Sequence, residues 1–395
     1  MSLTFANDFI HYLYERYPST KSRSLLINEN MISPFVLPLK DKHVDEARAT
    51  AASTFALRQL PQYQQQVRDS QVHLSAKFDP GNFSAFMSYD FHLTADGLKL
   101  IEINTNAAFS MVAYELHLFN KLETGLHTGY REKLKATFES ELEACVGRPE
   151  PKAVAIVDDE PDQQKMFFEF VMIADMFTSW GWETEILDAK DLKFSGGKLT
   201  GPSGRVFDLV YYRSTDFFLE GSSAIRDAYL ARAACITPNP HEYAMLADKA
   251  RLIDMTDSQR LAEFGLPAAD AKVLSQRLPF IYDTKKFTPE QLWDMRKKVV
   301  FKPKHAYAGK EVYRGANITR KVFEHVCDGD FVAQEFIPAP EIELKLPSGS
   351  AQEFKYDLRF YAYRDEIQLA TARLYQGQVT NFRSPGSGFT AIEIV

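Results

Sequence analysis

The sequence lacks the features that mark secreted, membrane-spanning and zinc-binding proteins. It has only three cysteines in 395 residues, Cys145, Cys235 and Cys327, and they are not at metal-ligand spacing. This argues against a disulfide framework or a zinc site and favours a reducing compartment. No apolar run reaches the roughly 20 residues of a membrane-spanning helix, and the first residues do not resemble a signal peptide. We therefore expect a cytoplasmic protein.

The sequence also has no excess of positive charge. Its formal net charge is −7, which argues against bulk attraction to nucleic acid or to a membrane. No G-x-G-x-x-G follows the apolar strand "AVAIVDD", so a dinucleotide-binding fingerprint is missing where it is expected. The composition, 45% hydrophobic and 25% charged, is ordinary for a folded chain, and the length suits two or three domains.

A predicted β-hairpin at 88–104 carries the strongest group of polar side chains. Residues 95–97, "ADG", have the chemistry of a three-residue hairpin loop. Counting outward from that loop places Asp90 opposite Glu102, with Asn104 on the same face as Glu102. Two carboxylates and an amide oxygen suit magnesium, which prefers oxygen ligands.

A plainer interpretation of the hairpin stays open, because charged residues are common on a half-exposed strand. A slip of the loop by one residue would also destroy the opposition of the carboxylates. The apolar neighbours Leu100, Ile101 and Ile103 favour a functional site, since a carboxylate in such surroundings needs a partner.

A second group of residues, at 299–310, has the chemistry of a phosphate site. Lys302 and Lys304 stand two apart on an apolar strand, so we expect them to share one face. Small residues in the loop that follows permit close approach of backbone N–H groups to phosphate oxygens, and lysine supplies a point charge. The alternative is an ordinary surface loop.

The last 65 residues contain a linker-like strand and a series of arginines. The strand "FVAQEFIPAP" ends at prolines, and its Gln334–Ile337 segment can read an adenine edge or simply end a strand. Asp357 and Arg359 then share a strand face, and Arg373 lies on the next strand. Fixed guanidinium groups suit anionic oxygens, although surface salt bridges are the common alternative.

Taken together, these segments resemble the nucleotide-binding half of ATP-grasp ligases. The shared series is the "FKP" strand, the small-residue loop, "QEFI", "DLR" and then N-x-R. In the usual order an E-x-N metal motif comes last, whereas "EIN" stands here at 102–104. This permuted order is similar to eukaryotic glutathione synthetase and the synthetase domain of glutathionylspermidine synthetase. The similarity covers residues 80–110 and 150–395 and includes "LKLIEINTN", "DLVYYRSTD", "LADKARL" and "VFKPK".

The resemblance implies an α/β fold, a circularly permuted ATP-grasp domain with a small Rossmann-like substrate domain. It also implies a ligase that uses ATP and Mg²⁺ to join a carboxylate to an amine through an acylphosphate. The expected regions are a helical N-terminal region (1–75), the metal-binding hairpin (76–110), a helical connection (111–149), the Rossmann-like substrate domain (150–238) and the nucleotide-binding region (239–395).

The resemblance assigns roles to individual residues. The implied magnesium ligands are Asp90, Glu102 and Asn104. The implied ATP-binding residues are Lys249, Lys302, Lys304, His305, Tyr307, Ala308, Gly309, Gln334, Glu335, Phe336 and Ile337, with 307–310 as a lid. The implied substrate residues are Asn106, Arg213, Asn381, Arg383, Gly386 and Gly388. The implied catalytic residues are Lys302, Arg359 and Arg373.

Departures from the family pattern fall near the expected substrate and metal. Ser88 stands where the family commonly has arginine, and Ala306 stands where glutathione synthetase has a glutamate. Ala107 and Phe109 replace serines that hold a peptide substrate. We therefore expect a product other than glutathione. Two alternatives stay open: a nucleotide-binding scaffold without turnover, and a metal-dependent phosphohydrolase.

Overall fold

The computed structural model describes residues 2–23, 25, 27, 29–122, 125–304, 311–346, 349–377, 382 and 384–395. Its strands form four sheets. They are β1 (Ile32–Leu39), β2 (Met87–Thr94), β3 (Gly97–Asn104), β4 (Ala153–Asp158), β5 (Glu183–Asp188), β6 (Lys193–Ser195), β7 (Lys198–Thr200), β8 (Leu209–Tyr212), β9 (Cys235–Thr237), β10 (Ile281–Asp283), β11 (Val299–Pro303), β12 (Tyr313–Arg314), β13 (Phe331–Glu335), β14 (Glu341–Lys345), β15 (Ala351–Tyr363), β16 (Glu366–Tyr375) and β17 (Gly388–Ile394).

The helices cover the sheets and join them. They are α1 (Ser2–Arg16), α2 (Pro18–Ser22), α3 (Asp41–Arg58), α4 (Pro61–Ser70), α5 (Leu74–Lys77), α6 (Ser110–Phe119), α7 (Tyr130–Val146), α8 (Phe167–Ser179), α9 (Ser223–Leu230), α10 (Pro240–Glu242), α11 (Arg251–Thr256), α12 (Ser258–Phe264), α13 (Ala268–Arg277), α14 (Pro289–Met295) and α15 (Arg320–Asp328). A π-helix, Tyr243–Ala247, continues α10. In the described part of the chain, no helix combines the length and apolar character needed to cross a bilayer.

The largest sheet adds the early hairpin β2–β3 to one side of the strands from the end of the chain. Its order is β1-β17-β16-β15-β2-β3, and β14 pairs with the first part of β15. All neighbours are antiparallel except β1 and β17. The predicted hairpin therefore lies beside the strand that contains "DLR", which is the arrangement that a permuted chain order requires.

Strand β1 lies in the N-terminal region that the sequence predicts as mostly helical. It contains Pro34 and Pro38 and has a register irregularity between Ile32 and Val36. Proline cannot donate a ladder hydrogen bond and therefore occurs mainly on edge strands. The outermost position of β1 explains how the sheet accommodates both prolines.

The side chains of β15 alternate between two environments. Leu358 and Phe360 belong to one buried apolar cluster, whereas Tyr361 belongs to the cluster on the other side of the sheet. Because side chains alternate along a strand, Asp357 and Arg359 share the face of Tyr361. That face contains the buried polar residues of the candidate site.

A second, antiparallel sheet has the order β10-β13-β11-β12. Its apolar face packs on α14 and α15 through residues such as Leu292, Phe301 and Phe323. Thr288 accepts the backbone N–H of Gln291 in a capping box, which defines the beginning of α14. This sheet contains Lys302 on β11 and leads from β13 into the predicted linker.

The predicted small parallel sheet is confirmed, with the order β5-β4-β8-β9 and all neighbours parallel. All six residues of β4 are buried, as expected for a strand covered on both faces. Strands β6 and β7 form a short hairpin at 193–200, and Gly196 and Gly197 have positive φ angles in its turn.

Candidate active site

A cleft of about 740 Å³ lies between the hairpin β2–β3, the second sheet and the segment that follows β8. Its lining includes the carboxylates of Asp90 and Glu102 and the cationic side chains of Lys249, Lys302 and Arg373. Stretches of sequence more than 200 residues apart therefore meet in one cavity. The wall with acidic oxygens and the wall with fixed cations face the same space.

The hairpin has the predicted pairing of Asp90 with Glu102, but its turn and its register differ from the prediction. The predicted three-residue loop is wrong, because Thr94 pairs with Gly97 and leaves only two residues in the turn. The register then shifts between the pairs of Asp90 and Phe91, so that β3 contains one extra residue, Ile101. This β-bulge restores the predicted opposition of Asp90 and Glu102, which is confirmed.

The bulge also connects the hairpin to the second sheet. The carbonyl oxygen of Ile101 accepts hydrogen bonds from Nζ of Lys302 and from Nε2 of Gln334, each 3.2 Å long. A bulged residue does not complete the regular ladder, which makes its carbonyl available to other partners. The hairpin and the nucleotide-binding strands predicted from the sequence are therefore in direct contact.

Asp90 is held by two arginines at the floor of the cleft. Arg359 donates from Nε to Oδ1 at 2.8 Å and from Nη2 to Oδ2 at 2.7 Å, and Arg373 donates from Nη2 to Oδ2 at 2.9 Å. Arg373 is fixed in turn by Asp357, which accepts from its Nε at 2.6 Å. Burial raises the pKa of Asp90, but the two guanidinium groups outweigh it and hold that pKa well below its usual range.

The three predicted magnesium ligands lie together, but they are not equivalent. Oxygens of Asp90 already accept several guanidinium hydrogen bonds, which occupy much of its acceptor capacity. The Nδ2 of Asn104 lies 3.3 Å from Asp90 and 3.4 Å from Glu102. Among the described residues, no three His, Cys, Asp or Glu side chains cluster as a metal site. The donor chemistry of Glu102 and Asn104 nevertheless fits magnesium.

Lys302 is a buried cation with a perturbed pKa. Burial and nearby Lys249 lower its pKa, Glu102 and Asp90 raise it, and the net result is a pKa of about 8. Lys249 lies two residues after the end of the π-helix and lines the cleft together with Lys302. π-helical turns occur often at functional sites. Two lysines that approach within one cavity form a suitable pocket for anionic oxygens.

Lys304 is placed differently from Lys302. It lies outside the cleft lining, where its Nζ is 2.6 Å from Asp330 and 3.2 Å from Asp283. The carboxylates raise its pKa despite partial burial. The structure therefore does not support the expectation that Lys304 shares a phosphate site with Lys302. The ion pairs of Lys304 instead connect β10 to the loop before β13.

The predicted linker lines the cleft at Gln334–Ile337. Several of its backbone groups are already bonded. The N–H groups of Glu335 and Phe336 donate to the carbonyls of Phe280 and Lys298, at 2.7 and 2.8 Å. The carbonyl of Ile337 accepts from Nδ1 of His92 at 2.8 Å. These bonds fix the path of the linker along the cavity.

Two further features make the linker wall suited to a planar ligand. The Oε1 atom of Gln334 is buried without a hydrogen-bond partner among the described residues. Buried acceptors of this kind need an explanation, and a ligand donor is one. The guanidinium of Arg314 lies 4.2 Å from the ring centroid of Phe336, and both residues line the cleft.

Several predicted substrate residues lie outside the cavity. Arg213 is buried beneath the lining and donates to Oδ1 of Asn106, whereas Asn106 itself lines the cleft. Gly386 and Gly388 are not part of the lining; a Cβ on Gly388 would meet the backbone of Met31 and Ile32, so this glycine permits close packing. Other predicted or discussed positions lie outside the described residues: His305, Ala306, Tyr307, Ala308, Gly309, Lys310, Asn381 and Arg383.

Sequence reasoning missed His92, Asp357, Phe217, Tyr243 and Arg314 as lining residues. Of these residues, His92 could have been predicted from the sequence, because a residue two positions after Asp90 lies on the same face of the strand. Burial lowers the pKa of His92. Asp357 raises it, Lys302 and Arg373 lower it, and the net change is a lowered pKa. We therefore expect a neutral imidazole at pH 7 that donates to the linker.

Ser88 and Phe109, two of the departures from the family pattern, have structural partners. Ser88 is buried, and its hydroxyl lies 3.5 Å from Oδ1 of Asp90. The ring of Phe109 stacks on Phe389 with centroids 3.9 Å apart. Neither side chain is part of the cleft lining. These two positions therefore stabilise the site from behind and do not reach a bound molecule.

Comparison with solved structures gives several alignments. A glutathione synthetase-like effector from Globodera pallida, in its apo form, aligns with a TM-score of 0.55 and 13% identity over 92% of this chain and 90% of that chain. A putative γ-glutamylcysteine synthetase from Methylobacillus flagellatus KT aligns with a TM-score of 0.48 and 11% identity, over 89% and 88% of the two chains. D-cycloserine synthetase DcsG aligns with a TM-score of 0.33 and 15% identity, over 57% and 75%.

Comparison with protein-family models and with curated proteins gives no sequence match. The likeness to the first structure shows the fold, and at 13% identity it shows the fold alone. The chain therefore has the mixed α/β ATP-grasp fold predicted from the sequence. Within that fold class, its overall architecture is that of the glutathione synthetase-like effector.

Proposed function

We propose that the protein is an ATP- and Mg²⁺-dependent ligase that joins a carboxylate to an amine through an acylphosphate. The observation that carries this proposal is the cleft itself. Oxygen donors from Glu102 and Asn104 lie on one wall, and Lys302, Lys249 and Arg373 supply cations to the same space. Catalysis of phosphoryl transfer depends mainly on positioning and charge neutralisation, so these are the expected parts.

The nucleotide would lie between the linker and the two lysines. The unbonded Oε1 of Gln334 is placed to accept from the exocyclic amino group of adenine, while Phe336 and Ile337 offer apolar surface to the base. Lys302 and Lys249 would bind the phosphates as point charges. Glu102 and Asn104 would hold a magnesium ion, whose charge would offset that of the phosphate oxygens.

In this proposal Arg373 and Arg359 would meet the charge that develops on the transferred phosphoryl group. A carboxylate oxygen of the substrate attacks the γ-phosphorus, the bond to the bridging oxygen breaks and ADP leaves. The amine then attacks the acyl carbon, inorganic phosphate departs and the nitrogen loses a proton to give the amide. Arg373 is held at two points, by Asp90 and Asp357, which suits a group that must meet anionic oxygens without reorganising.

The test is ADP release from Mg·ATP in the presence of mixed amino acids, peptides and polyamines. A ligase sustains ADP release over repeated turnovers only when a carboxylate and an amine are both present. Glu102→Gln should abolish this release, whereas Lys304→Ala, outside the cleft, should leave it near the wild-type rate. ADP release that does not depend on an amine would indicate the phosphohydrolase alternative. ATP binding without any ADP release would indicate the scaffold.

A further inference from the structure

The chain connects the second sheet to the largest sheet through residues 336–340, which follow β13 and precede β14. We call this stretch the crossing segment. Its first two residues, Phe336 and Ile337, line the cleft. Pro338 and Pro340 have no backbone N–H, so the segment has few donors with which to hold its own position. Its path therefore depends on hydrogen bonds from other parts of the chain.

One side chain bonds to the middle of the crossing segment. At the two ends, the N–H of Phe336 and the carbonyl of Pro340 bond to other backbone groups, at 2.8 and 3.1 Å. Between them, the one hydrogen bond among the described residues runs from Nδ1 of His92 to the carbonyl oxygen of Ile337, at 2.8 Å. His92 therefore supplies the hydrogen bond that holds this part of the segment.

The acceptor in this bond defines the form of the histidine ring. A carbonyl oxygen can only accept, so Nδ1 of His92 must hold a proton and donate it. The peptide group is planar, so a bond to the carbonyl of Ile337 limits the rotation of the whole peptide plane. Both residues are half-buried and line the cleft. The bond therefore also restricts the direction in which the side chain of Ile337 meets the cavity.

His92 lies on a part of β2 that is itself firmly held. Asp90, two residues earlier on the same face and about 7 Å away along the strand, is fixed by two hydrogen bonds from Arg359, at 2.8 and 2.7 Å. The strand therefore has little freedom at this point. A donor on such a strand gives the crossing segment a fixed reference, whereas a donor on a surface loop would not.

The same hairpin makes a second bond to the linker. Nε2 of Gln334 donates to the carbonyl of Ile101 on β3, at 3.2 Å. Gln334 and Ile337 begin and end the part of the linker that lines the cleft. The hairpin β2–β3 thus bonds to this wall at both of its ends, through Ile101 at one and His92 at the other.

We propose that His92 is a positioning residue for the nucleotide, and that its Nδ1–H holds the linker where Phe336 and Ile337 meet the base. This inference rests on the proposed function for the location of the nucleotide. Loss of the donor should weaken binding of the base-containing part of ATP. It should leave the phosphate end of the cleft, at Lys249 and Lys302, unchanged, because His92 bonds to neither lysine.

The experiment compares His92→Asn with His92→Leu. The side-chain amide of asparagine can place an N–H near the position of Nδ1, whereas leucine keeps the bulk and has no donor. Isothermal titration with a non-hydrolysable ATP analogue and Mg²⁺ should show binding about fivefold to tenfold weaker in His92→Leu, and within about twofold of the wild type in His92→Asn. Wild-type affinity in His92→Leu would overturn the inference. Equal losses in both variants would also overturn it, because the donor would then not be the cause.

Two partial ligands distinguish a positioning role from general damage to the cleft. Tripolyphosphate with Mg²⁺ contains the phosphates without the base, and its affinity should be equal in the wild type and in His92→Leu. Adenosine contains the base without the phosphates, and its affinity should fall by the same factor as that of the ATP analogue. A parallel loss for tripolyphosphate would contradict the assignment to the base end.

A measurement on the wild type decides the question even if a variant is unstable. In two-bond ¹⁵N–¹H correlation spectra of ¹⁵N-histidine-labelled protein with Mg·ADP, the ring of His92 should be protonated at Nδ1. The spectrum of either folded variant identifies the His92 signals by their loss. A ring protonated at Nε2 alone would overturn the inference, because it cannot donate to Ile337 from Nδ1.

Failure of this inference and failure of the ligase proposal give different results, because the titrations need no turnover. The expected pattern of affinities without ADP formation would leave a nucleotide site positioned by His92 in a protein that is not a ligase. Amine-dependent ADP formation, together with ATP affinity that is unchanged in His92→Leu, would leave a ligase and remove the positioning role.

Discussion

Lys302 donates a hydrogen bond of 3.2 Å from Nζ to the carbonyl oxygen of Ile101, the bulged residue of β3. This bond joins two parts of the chain that are 201 positions apart. It fixes the ammonium group near Glu102 while leaving it in the lining of the cleft. The bond therefore connects the side of the cleft that contains Glu102 to the side that contains Lys302. The first predictions accordingly concern Lys302.

We predict that ATP affinity depends on pH through Lys302. Its pKa in the free protein is lowered by burial to about 8, so the ammonium loses its proton above that pH. We expect ATP to bind the protonated form, so the dissociation constant should rise above pH 8, by at most about tenfold per pH unit. Lys302→Arg, which stays charged, should give a nearly flat profile between pH 7 and 9.5. An equally steep rise in this variant would assign the effect to another group.

A matched pair of substitutions distinguishes Lys302 from Lys304. Lys302→Met should weaken ATP binding by about tenfold to a hundredfold, because it removes a phosphate partner from a desolvated site. Lys304→Met should leave ATP binding unchanged, since its ammonium pairs with Asp283 and Asp330 outside the cleft. Isothermal titration with a non-hydrolysable ATP analogue measures both. Equal losses in the two variants would show that both lysines reach the phosphates.

We expect Asp90 to be required for stability as well as for the site. Asp90→Asn would leave the buried guanidinium groups of Arg359 and Arg373 without their shared carboxylate, at a cost of about 3–5 kcal/mol in the free energy of unfolding. Asp45→Asn, in an exposed pair with Arg48, is the control and should change little. Chemical denaturation at pH 7 measures the difference. A loss no larger than in the control would contradict the tight network.

The ion pairs of Asp90 with Arg359 and Arg373 also predict how stability changes with pH. Because the pKa of Asp90 is lowered in the folded protein, its contribution is complete above the unfolded carboxyl value of about 3.9 and declines as the pH falls below it. The wild type should therefore lose part of its advantage over Asp90→Asn between about pH 4 and pH 2, and the rest as the pH falls further through the lowered pKa. If the wild type kept a constant stability advantage over Asp90→Asn across this pH range, the stabilisation would not depend on the ionisation of Asp90, and the prediction would be wrong.

Asp357 is expected to act by positioning Arg373. It accepts from Nε of Arg373 at 2.6 Å, directly across the strands. Asp357→Asn keeps the shape but weakens this charge-assisted bond, so the rate of ADP formation should fall about tenfold or more while ATP affinity changes little. Arg373→Lys in the same assay should show the same pattern of lower rate and unchanged affinity. A fall in ATP affinity without a change in rate would instead place both residues in nucleotide binding.

Sequence reasoning predicted the sheets and the meeting of distant motifs better than it predicted local geometry. Alternation along the strands and the chemistry of the loop were sufficient to pair Asp90 with Glu102. The turn is one residue shorter than predicted, and the bulge at Ile101 compensates by adding one residue to β3. No local sequence rule distinguishes a two-residue turn followed by a bulge from a regular three-residue loop. Strand β1 was missed because the region was predicted as helical, and its two prolines are acceptable in a strand only at the edge of the sheet.

The roles of individual polar residues were harder to predict, because they depend on partners far away in sequence. Lys304 is two residues from Lys302, and only the positions of Asp283 and Asp330 explain why it pairs outside the cleft. Arg213 likewise turns to Asn106, more than a hundred residues earlier. Residue type and spacing therefore indicated which groups belong to the region, whereas the choice of partner required the fold.

The central claim is that the cleft transfers the γ-phosphoryl group of ATP to a carboxylate. It is tested most directly with ¹⁸O-carboxyl-labelled acids, namely a mixture of labelled amino acids and peptides, incubated with Mg·ATP and mixed amines. A ligase that forms an acylphosphate transfers one ¹⁸O atom from the acid to each phosphate released, and mass spectrometry should detect it in the wild type but not in Glu102→Gln. Formation of ADP with unlabelled phosphate would contradict the account.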